Sequence, residues 1–459
     1  MRLRAHHGYF ALLSIVLLTC AFVSNLFAQS LPQTRVDDEI LIELTAGNSN
    51  TLPAIAAEYG LQPKPLGQVG SPPTYRMKII DGQTPEQKLA AMSGDPRIAT
   101  KEVNRKLSQV ERNGLPWTIG HSWAIGHSWA IGGSSKGYNR QWFPWQIRLN
   151  QAQNDPNFGS KGSGVTIAVL DTGIDLTHPA FTGRLVPGFD FVNNDSDPSE
   201  EGSIRTDPSF GHGTHVAGII ALVAPDAKIM PLRVLDQNGE GDLWRIQEAL
   251  IWAAQHGADI ANLSVAYPPD ILPQDNKVLK KIMDFCDDGV EIGGKTYPEV
   301  GAERLLIVTG AGNGGNENKV YPAALKAESV DLIAVAASTR TDSLALFSTI
   351  NRAGSGGDEW VRVIAPGENI VSSMPGGRYG VWTGTSMAAP IVSGIAALVR
   401  SRNPGFTIHQ LADRIDATGI KWKCRLASRN YIIDANRVDA FCAVSNNVAC
   451  GQTVTGDCP

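Results

Sequence analysis

Past residue 28 the chain has no apolar run long enough to cross a bilayer as a helix, so the mature remainder is expected to have no stable membrane span. It also lacks the basic excess of a phosphate-binding surface. Lys and Arg total 40 against 45 Asp and Glu, a formal net charge of −5, which argues against nucleic acid as a partner. Cysteine is scarce: Cys20, Cys286, Cys424, Cys442, Cys450 and Cys458 include no paired CxxC unit and have no histidine nearby, which disfavours zinc. Four of the six fall after Lys423, a clustering that suits disulfides in an oxidising compartment, although their pairing is not legible. Glycine, by contrast, is plentiful at 47 residues, much of it in polar turns, which favours an α/β enzyme over a helical bundle. At 459 residues the chain can hold more than one domain, one of them with a full core of its own.

The first 28 residues read as a secretory signal. Arg2 and Arg4 precede an apolar run from Tyr9 to Phe27, with a cut expected after Ala28. A retained anchor is the competing reading, and lipid attachment at Cys20 is disfavoured by Thr19 before it. The expected destination is therefore outside the cell or in the periplasm.

Residues 36–112 read as a small module. The pattern is strand at 39–44, helix at 52–59, strand at 74–80, helix at 85–92 and a mostly extended stretch at 98–110. That order is the split ferredoxin-like arrangement. Residues 113–140 form a linker in which Ile119-Gly-His-Ser-Trp-Ala124 is repeated as Ile125-Gly-His-Ser-Trp-Ala130. Two copies are too few for a repeat architecture, and the flanking Gly and Ser favour an exposed connector over a metal site. From 141 to 440 short apolar runs at 164–170, 228–235, 260–264, 305–309 and 332–336 alternate with helical segments such as 243–256. This predicts a parallel sheet flanked by helices, with its site at the carboxyl ends of the strands. Residues 441–459 form a Cys-containing tail.

Three segments carry chemistry. Asp171-Thr-Gly-Ile-Asp175 follows a predicted strand, His212-Gly-Thr-His-Val-Ala-Gly218 opens a helical stretch, and Gly384-Thr-Ser-Met-Ala-Ala-Pro390 precedes an apolar helix. A serine hydroxyl needs a base to become a nucleophile; an imidazole can take and return its proton, and a carboxylate fixes the imidazole's tautomer. Asp-Thr-Gly alone is also an ordinary strand-to-turn sequence, and the histidine motif alone is also a tightly packed helix start. Together, in the order Asp, His, Ser, they resemble the active-site signatures of the subtilisin family residue for residue.

The resemblance spans about 141–440. It implies a subtilisin-like fold and a secreted serine endopeptidase acting on polypeptides through an acyl-enzyme. Asp171 would orient, His212 act as base and acid, Ser386 attack, and Asn313, in Thr309-Gly-Ala-Gly-Asn-Gly-Gly315, bind the oxyanion; His215 matches a structural position. Ser264, Val265, Ala266 and Gly312 would line the substrate, with Val265 and Ala266 departing from the family's usual residues. Tyr321-Pro322 matches a cis position, and Ile432-Ile-Asp-Ala435 the family's closing segment. No cofactor is required for the chemistry. Asp190, Asn194, Asp195 and Asp197 resemble a calcium loop of thermitase-like members, with a solvated Asx-rich turn as the competing reading. The module at 36–112 resembles an inhibitory propeptide, the chain's own intramolecular partner. A catalytically silent peptide-binding member, a peptide-transferring enzyme and an esterase are the alternatives.

Overall fold

The computed structural model describes residues 34–70, 73–109, 134–203, 206–207, 209–266, 291–292, 295–296, 305–325, 332–351, 360–426, 431–447 and 454–457. The N-terminal module consists of β1 (Arg35–Leu44), α1 (Leu52–Glu58), β2 (Gly67–Val69), β3 (Thr74–Lys78), α2 (Pro85–Ala91) and β4 (Ile98–Gln109). Its antiparallel strands lie in the order β4-β1-β3-β2, as the pattern predicts. The alternation in β1 explains its seating. Ile40, Ile42 and Leu44 close over Ile55 and Met92 in the module's own core, while Leu41 turns the other way into the core of the larger body. Asn104 ties the two together, donating to Glu39 Oε2 (2.7 Å) and accepting from the Trp244 N–H (3.3 Å).

The larger body follows as α3 (Ser135–Asn139), α4 (Phe143–Gln146), α5 (Leu149–Asn154), β5 (Thr166–Asp171), β6 (Phe189–Asp190), α6 (His212–Val223), β7 (Lys228–Arg233), β8 (Glu240–Asp242) and α7 (Leu243–Gln255). It continues through β9 (Ile260–Leu263), β10 (Val265–Ala266), β11 (Leu306–Gly310), β12 (Leu332–Ser338), β13 (Val361–Pro366), β14 (Ile370–Met374) and β15 (Arg378–Trp382). The last elements are α8 (Thr385–Arg402), α9 (Ile408–Ala417), β16 (Ile420–Leu426), β17 (Tyr431–Arg437), α10 (Ala440–Ser445) and β18 (Val454–Asp457).

The main sheet runs β18-β16-β17-β13-β12-β11-β9-β5-β7-β6. It is parallel from β6 to β17; β16 is antiparallel to β17. Both faces are covered, which is why its strands read as apolar runs rather than alternating ones. In β5, Ile167 and Val169 face α6 and α8, whereas Ala168 and Leu170 face α7. Helix α8 is buried almost end to end. Ile391, Val392, Ile395, Leu398 and Val399 are each fully inaccessible, and burying such a side chain is worth about 1.5–3 kcal/mol. This is the expected α/β, subtilisin-like sheet with flanking helices, preceded by the small α+β module.

Two boundaries differ from the sequence reading. The body begins by Ser134, not 141: α3 buries Tyr138, whose hydroxyl donates to the Gly218 carbonyl (2.5 Å) in α6. At the other end the tail is part of the fold, since α10 packs Ala443 and Val444 into the core and β18 pairs with β16. The signal segment 1–28 and the duplicated hexapeptide lie outside the described residues. No helix among the described residues is long and apolar enough to cross a membrane.

Candidate active site

Three adjacent parallel strands end at the same edge of the sheet and deliver the candidate residues together. Asp171 is the last residue of β5, Ser264 follows β9, and Asn313 lies three residues past β11. Asp171 is completely buried, and its Oδ1 accepts from the Thr172 N–H (2.8 Å) and faces His212 Nδ1 at 2.7 Å. That contact keeps a proton on Nδ1, donated to the carboxylate, and leaves Nε2 as the basic atom.

His212 opens α6, and local sequence explains why it can. The preceding Gly211 has φ 92° and sits so near Met374 and Pro375 that a Cβ would lie 2.7 Å from Met374 Cε. Gly213 lets the first turn of α6 descend onto β5, because a Cβ there would meet the Gly173 carbonyl oxygen at 2.2 Å. One face of the His212 ring lies against Trp382, with centroids 5.3 Å apart.

Ser386 takes the second position of α8, a helix packed against α6. At a helix start the backbone N–H groups have no intrahelical partners and the dipole's positive end faces outward, a setting that stabilises an oxyanion. Pro390 stands four residues on, where its missing N–H removes one early bond; the helix runs through it unbroken to Arg402. The loop after β11 is fastened to this helix start. The Gly312 N–H donates to Thr385 Oγ1 (3.1 Å), and Asn313 Oδ1 accepts from the Thr385 N–H (2.9 Å). With Oδ1 so committed, the amide's donor end is turned the other way. Gly310 permits the approach, since a Cβ there would lie 2.8 Å from Thr385 Oγ1.

His215 stands apart from this chemistry. Its Nε2 faces the carbonyls of Ile370 (3.1 Å) and Gly380 (3.3 Å), so it carries the proton, and its ring stacks on Trp382. Burial, with a smaller contribution from His212, pushes its pKa down to about 3. It remains neutral at physiological pH.

Ser264, Val265 and Ala266 are buried, and the N-terminal module covers the last two. The end of β4 pairs antiparallel with β10, Val265 opposite Gln109 and Ala266 opposite Ser108. On its other side β4 pairs with β8, matching Lys106, Leu107 and Ser108 to Asp242, Gly241 and Glu240. An extended segment is thus held between two edge strands, with Leu107 turned into the core beside Leu235, Leu243 and Trp244. Tyr321-Pro322 is cis. Tyr267 lies outside the described residues.

Three of the four calcium candidates are engaged in hydrogen bonds of their own. Asp190 is fully buried, with Oδ2 on Arg233 Nη1 (2.7 Å) and Oδ1 accepting from the Val192 and Asn193 N–H groups (2.7 and 2.9 Å). Asp195 caps its own turn through the Asp197 N–H (2.9 Å), Asp197 binds Ser199, and Asn194 adopts φ 60°. Among the described residues no group of three or more His, Cys, Asp or Glu side chains is placed to hold a metal. The positive charge at this loop comes from Arg233, which also reaches Glu201 (2.8 Å).

Two neighbours of the site carry no sequence signal of their own. Trp382 contacts both histidine rings, and Glu200 reaches in from a loop to the backs of both the Asp171 and the His212 motifs.

A profile described as "Subtilase family" matches residues 162–434. Curated relatives include a thermophilic serine proteinase of Bacillus sp. (strain AK1), 37% identical over 60% of this chain and 63% of its own length. Thermitase of Thermoactinomyces vulgaris is 33% identical over 62% of this chain and 92% of its own length. Subtilisin E of Bacillus subtilis (strain 168) is 34% identical over 61% and 66%. The matched stretch therefore spans slightly under two thirds of the thermophilic proteinase and of subtilisin E. A crystal structure of a cold adapted subtilisin-like serine proteinase is 28% identical, with TM-score 0.49, covering 65% of this chain and 97% of that one. A profile matched over more than half of the chain, and thermitase covered over nearly all of its length, place this protein in the subtilase family.

Proposed function

We propose that the protein is a secreted serine endopeptidase made as a self-inhibited precursor. The observation that carries this reading is the strand β4, an extended piece of the chain's own backbone held between the edges of β8 and β10, the latter following directly on Ser264. An enzyme that cleaves polypeptides must bind its substrate as such a strand, by backbone pairing with alternate side chains in pockets. Here Leu107 enters the apolar core and Ser108 is paired on both edges.

In the reaction, His212 Nε2 takes the Ser386 hydroxyl proton as Oγ attacks the scissile carbonyl, and Asp171 stabilises the imidazolium. The tetrahedral oxyanion is met by the Asn313 amide and the N–H groups at the start of α8. Collapse gives an acyl-enzyme, with the proton passed to the leaving amine; water then repeats the sequence. No cofactor enters these steps. A structural calcium on the 190–197 loop would have to draw on Asp195, Asp197 and Asn194, because Asp190 is engaged by Arg233; thermal unfolding in EDTA against calcium tests it. Disulfides in the tail are part of this secreted reading, supported by Cys442 as a disulfide-bonded cysteine.

The test is to express the chain from Gln29 beside its Ser386→Ala variant and to follow mass and casein cleavage. Loss of the N-terminal module with casein cleavage in the first, and neither in the second, is the expected result. A full-length, inert wild type that stays inert after a trace of active protease cuts the linker would overturn the proposal in favour of a peptide-binding protein.

A further inference from the structure

The loop that follows the Asp190 turn returns alongside β5. Ile174 and Ser199 form a β-bridge, with the Ile174 N–H donating to the Pro198 carbonyl and the Glu200 N–H to the Ile174 carbonyl (3.1 Å each). This anchors Glu200 behind the Asp171–His212 pair. One carboxylate oxygen accepts from Thr172 Oγ1 (2.6 Å); the other accepts from the Thr214 N–H (3.1 Å) and Thr214 Oγ1 (2.8 Å). Thr172 is the residue after Asp171, and Thr214 is two residues after His212.

The two threonines are relays, not endpoints. Thr172 Oγ1 also accepts from the Gly213 N–H (3.0 Å), and Thr214 Oγ1 from the Asp175 N–H (2.9 Å). One carboxyl group therefore closes a ring of bonds joining the end of β5 to the first turn of α6. It also supplies what α6 lacks at its start, since the N-cap Gly211 has no side chain to meet the exposed N–H groups.

We propose that Glu200 is a positioning residue for the proteolytic reaction, clamping the Asp171-Thr172 strand end to the first turn of the His212 helix so that the carboxylate–imidazole bond keeps its geometry. It rests on the peptidase reading. When ionised, its carboxylate also bears on the imidazole. The titratable groups on the elements packed against it are Asp171 and Asp175 on and after β5, and His212 and His215 on α6. Burial pushes the Glu200 carboxyl up to about 7, against the lowering influence of the two threonine hydroxyls.

The experiment compares Glu200→Gln, Glu200→Asp and the neighbouring Glu201→Gln in the matured enzyme, using kcat and KM on a chromogenic peptide across pH. Ser386→Ala establishes separately that the activity belongs to this site. Glu200→Gln keeps the size but offers one acceptor where two are used. It should lose about 10–100-fold in kcat with KM within about twofold, as a small misplacement of reacting groups does. The acid limb of kcat/KM should move to lower pH, because a carboxyl that is ionised over the upper part of that limb no longer sits near the imidazole. Glu200→Asp should keep the acid limb but not kcat, the charge being present and the reach too short. Glu201→Gln should change neither. If Glu200→Gln does not fold, Thr172→Val removes one arm of the ring and the same two readings decide. Variants that melt lower yet keep kcat within twofold and the acid limb in place would overturn the proposal, leaving Glu200 as a structural bond alone.

Discussion

Gly213 gives the sharpest check on the proposed geometry, because one methyl group there acts on the Asp171–His212 contact through the backbone beneath it. A Cβ at this position would stand 2.2 Å from the Gly173 carbonyl oxygen, 3.0 Å from Asp171 Cβ and 3.2 Å from Asp171 Oδ1. Carbon and carbonyl oxygen settle at about 3.3–3.6 Å, so the first turn of α6 must retreat by roughly 1 Å. The obstacle is backbone at the end of a central strand and cannot swing aside. His212 is in that turn, and a 1 Å retreat carries its 2.7 Å bond to Asp171 past the hydrogen-bond limit of about 3.5 Å. Gly213→Ala should therefore lose about 10²-fold in kcat. Overpacking should cost about 1–3 kcal/mol of stability. Gly405→Ala, where no atom lies within 4 Å, is the matched control. The assay is steady-state hydrolysis of a chromogenic peptide, with active enzyme titrated by a covalent serine reagent. A Gly213→Ala enzyme with kcat within threefold of wild type and unchanged melting would refute the reasoning.

Asn313→Ala should lower kcat about 10²–10³-fold with KM nearly unchanged, the usual loss for one oxyanion donor; a change confined to KM would assign Asn313 to ground-state binding. Arg233→Met strands the buried Asp190 carboxylate and should destabilise by about 3–5 kcal/mol in urea unfolding, with Asp190→Asn added to recover most of it. His215 has its pKa depressed on folding, so its unfolded form binds the proton first as pH falls. Stability attributable to it is complete above its ordinary value near 6.5 and lost towards about 3. His215→Gln should flatten the fall in urea midpoint between pH 6 and pH 4, and an unchanged slope would show that another group governs acid unfolding.

Much of this was legible because local patterns and burial agree. The runs at 164–170 and 332–336 are apolar on both faces since helices cover both sides of the sheet, and 39–44 alternates because β1 serves two cores. Asp171, His212 and Ser386 announce themselves through the glycines that let their elements approach one another. Glu200 does not. It acts from a loop whose course is set by a backbone bridge to Ile174, and no spacing in the sequence encodes that bridge. The pairing of β4 with β8 and β10 joins residues more than 130 positions apart, so neither partner carries a local sign of the other. The tail strand β18 is likewise defined only by the edge it covers. The Asp-rich turn at 190–197 shows the opposite case, in which ligand-like composition was plain but the buried Arg233 that engages Asp190 was not.

The slot now filled by β4 has a further consequence. It is bounded by two strand edges, so it admits only backbone whose own amide and carbonyl groups are unsatisfied. The interior of a helix or a strand paired on both edges presents none. A folded protein can enter only by first releasing several residues from its own structure, and the free energy of that release is subtracted from its binding. Selection by this cleft would then be read in the local stability of the target as much as in its side chains, favouring loops, termini and damaged or misfolded chains.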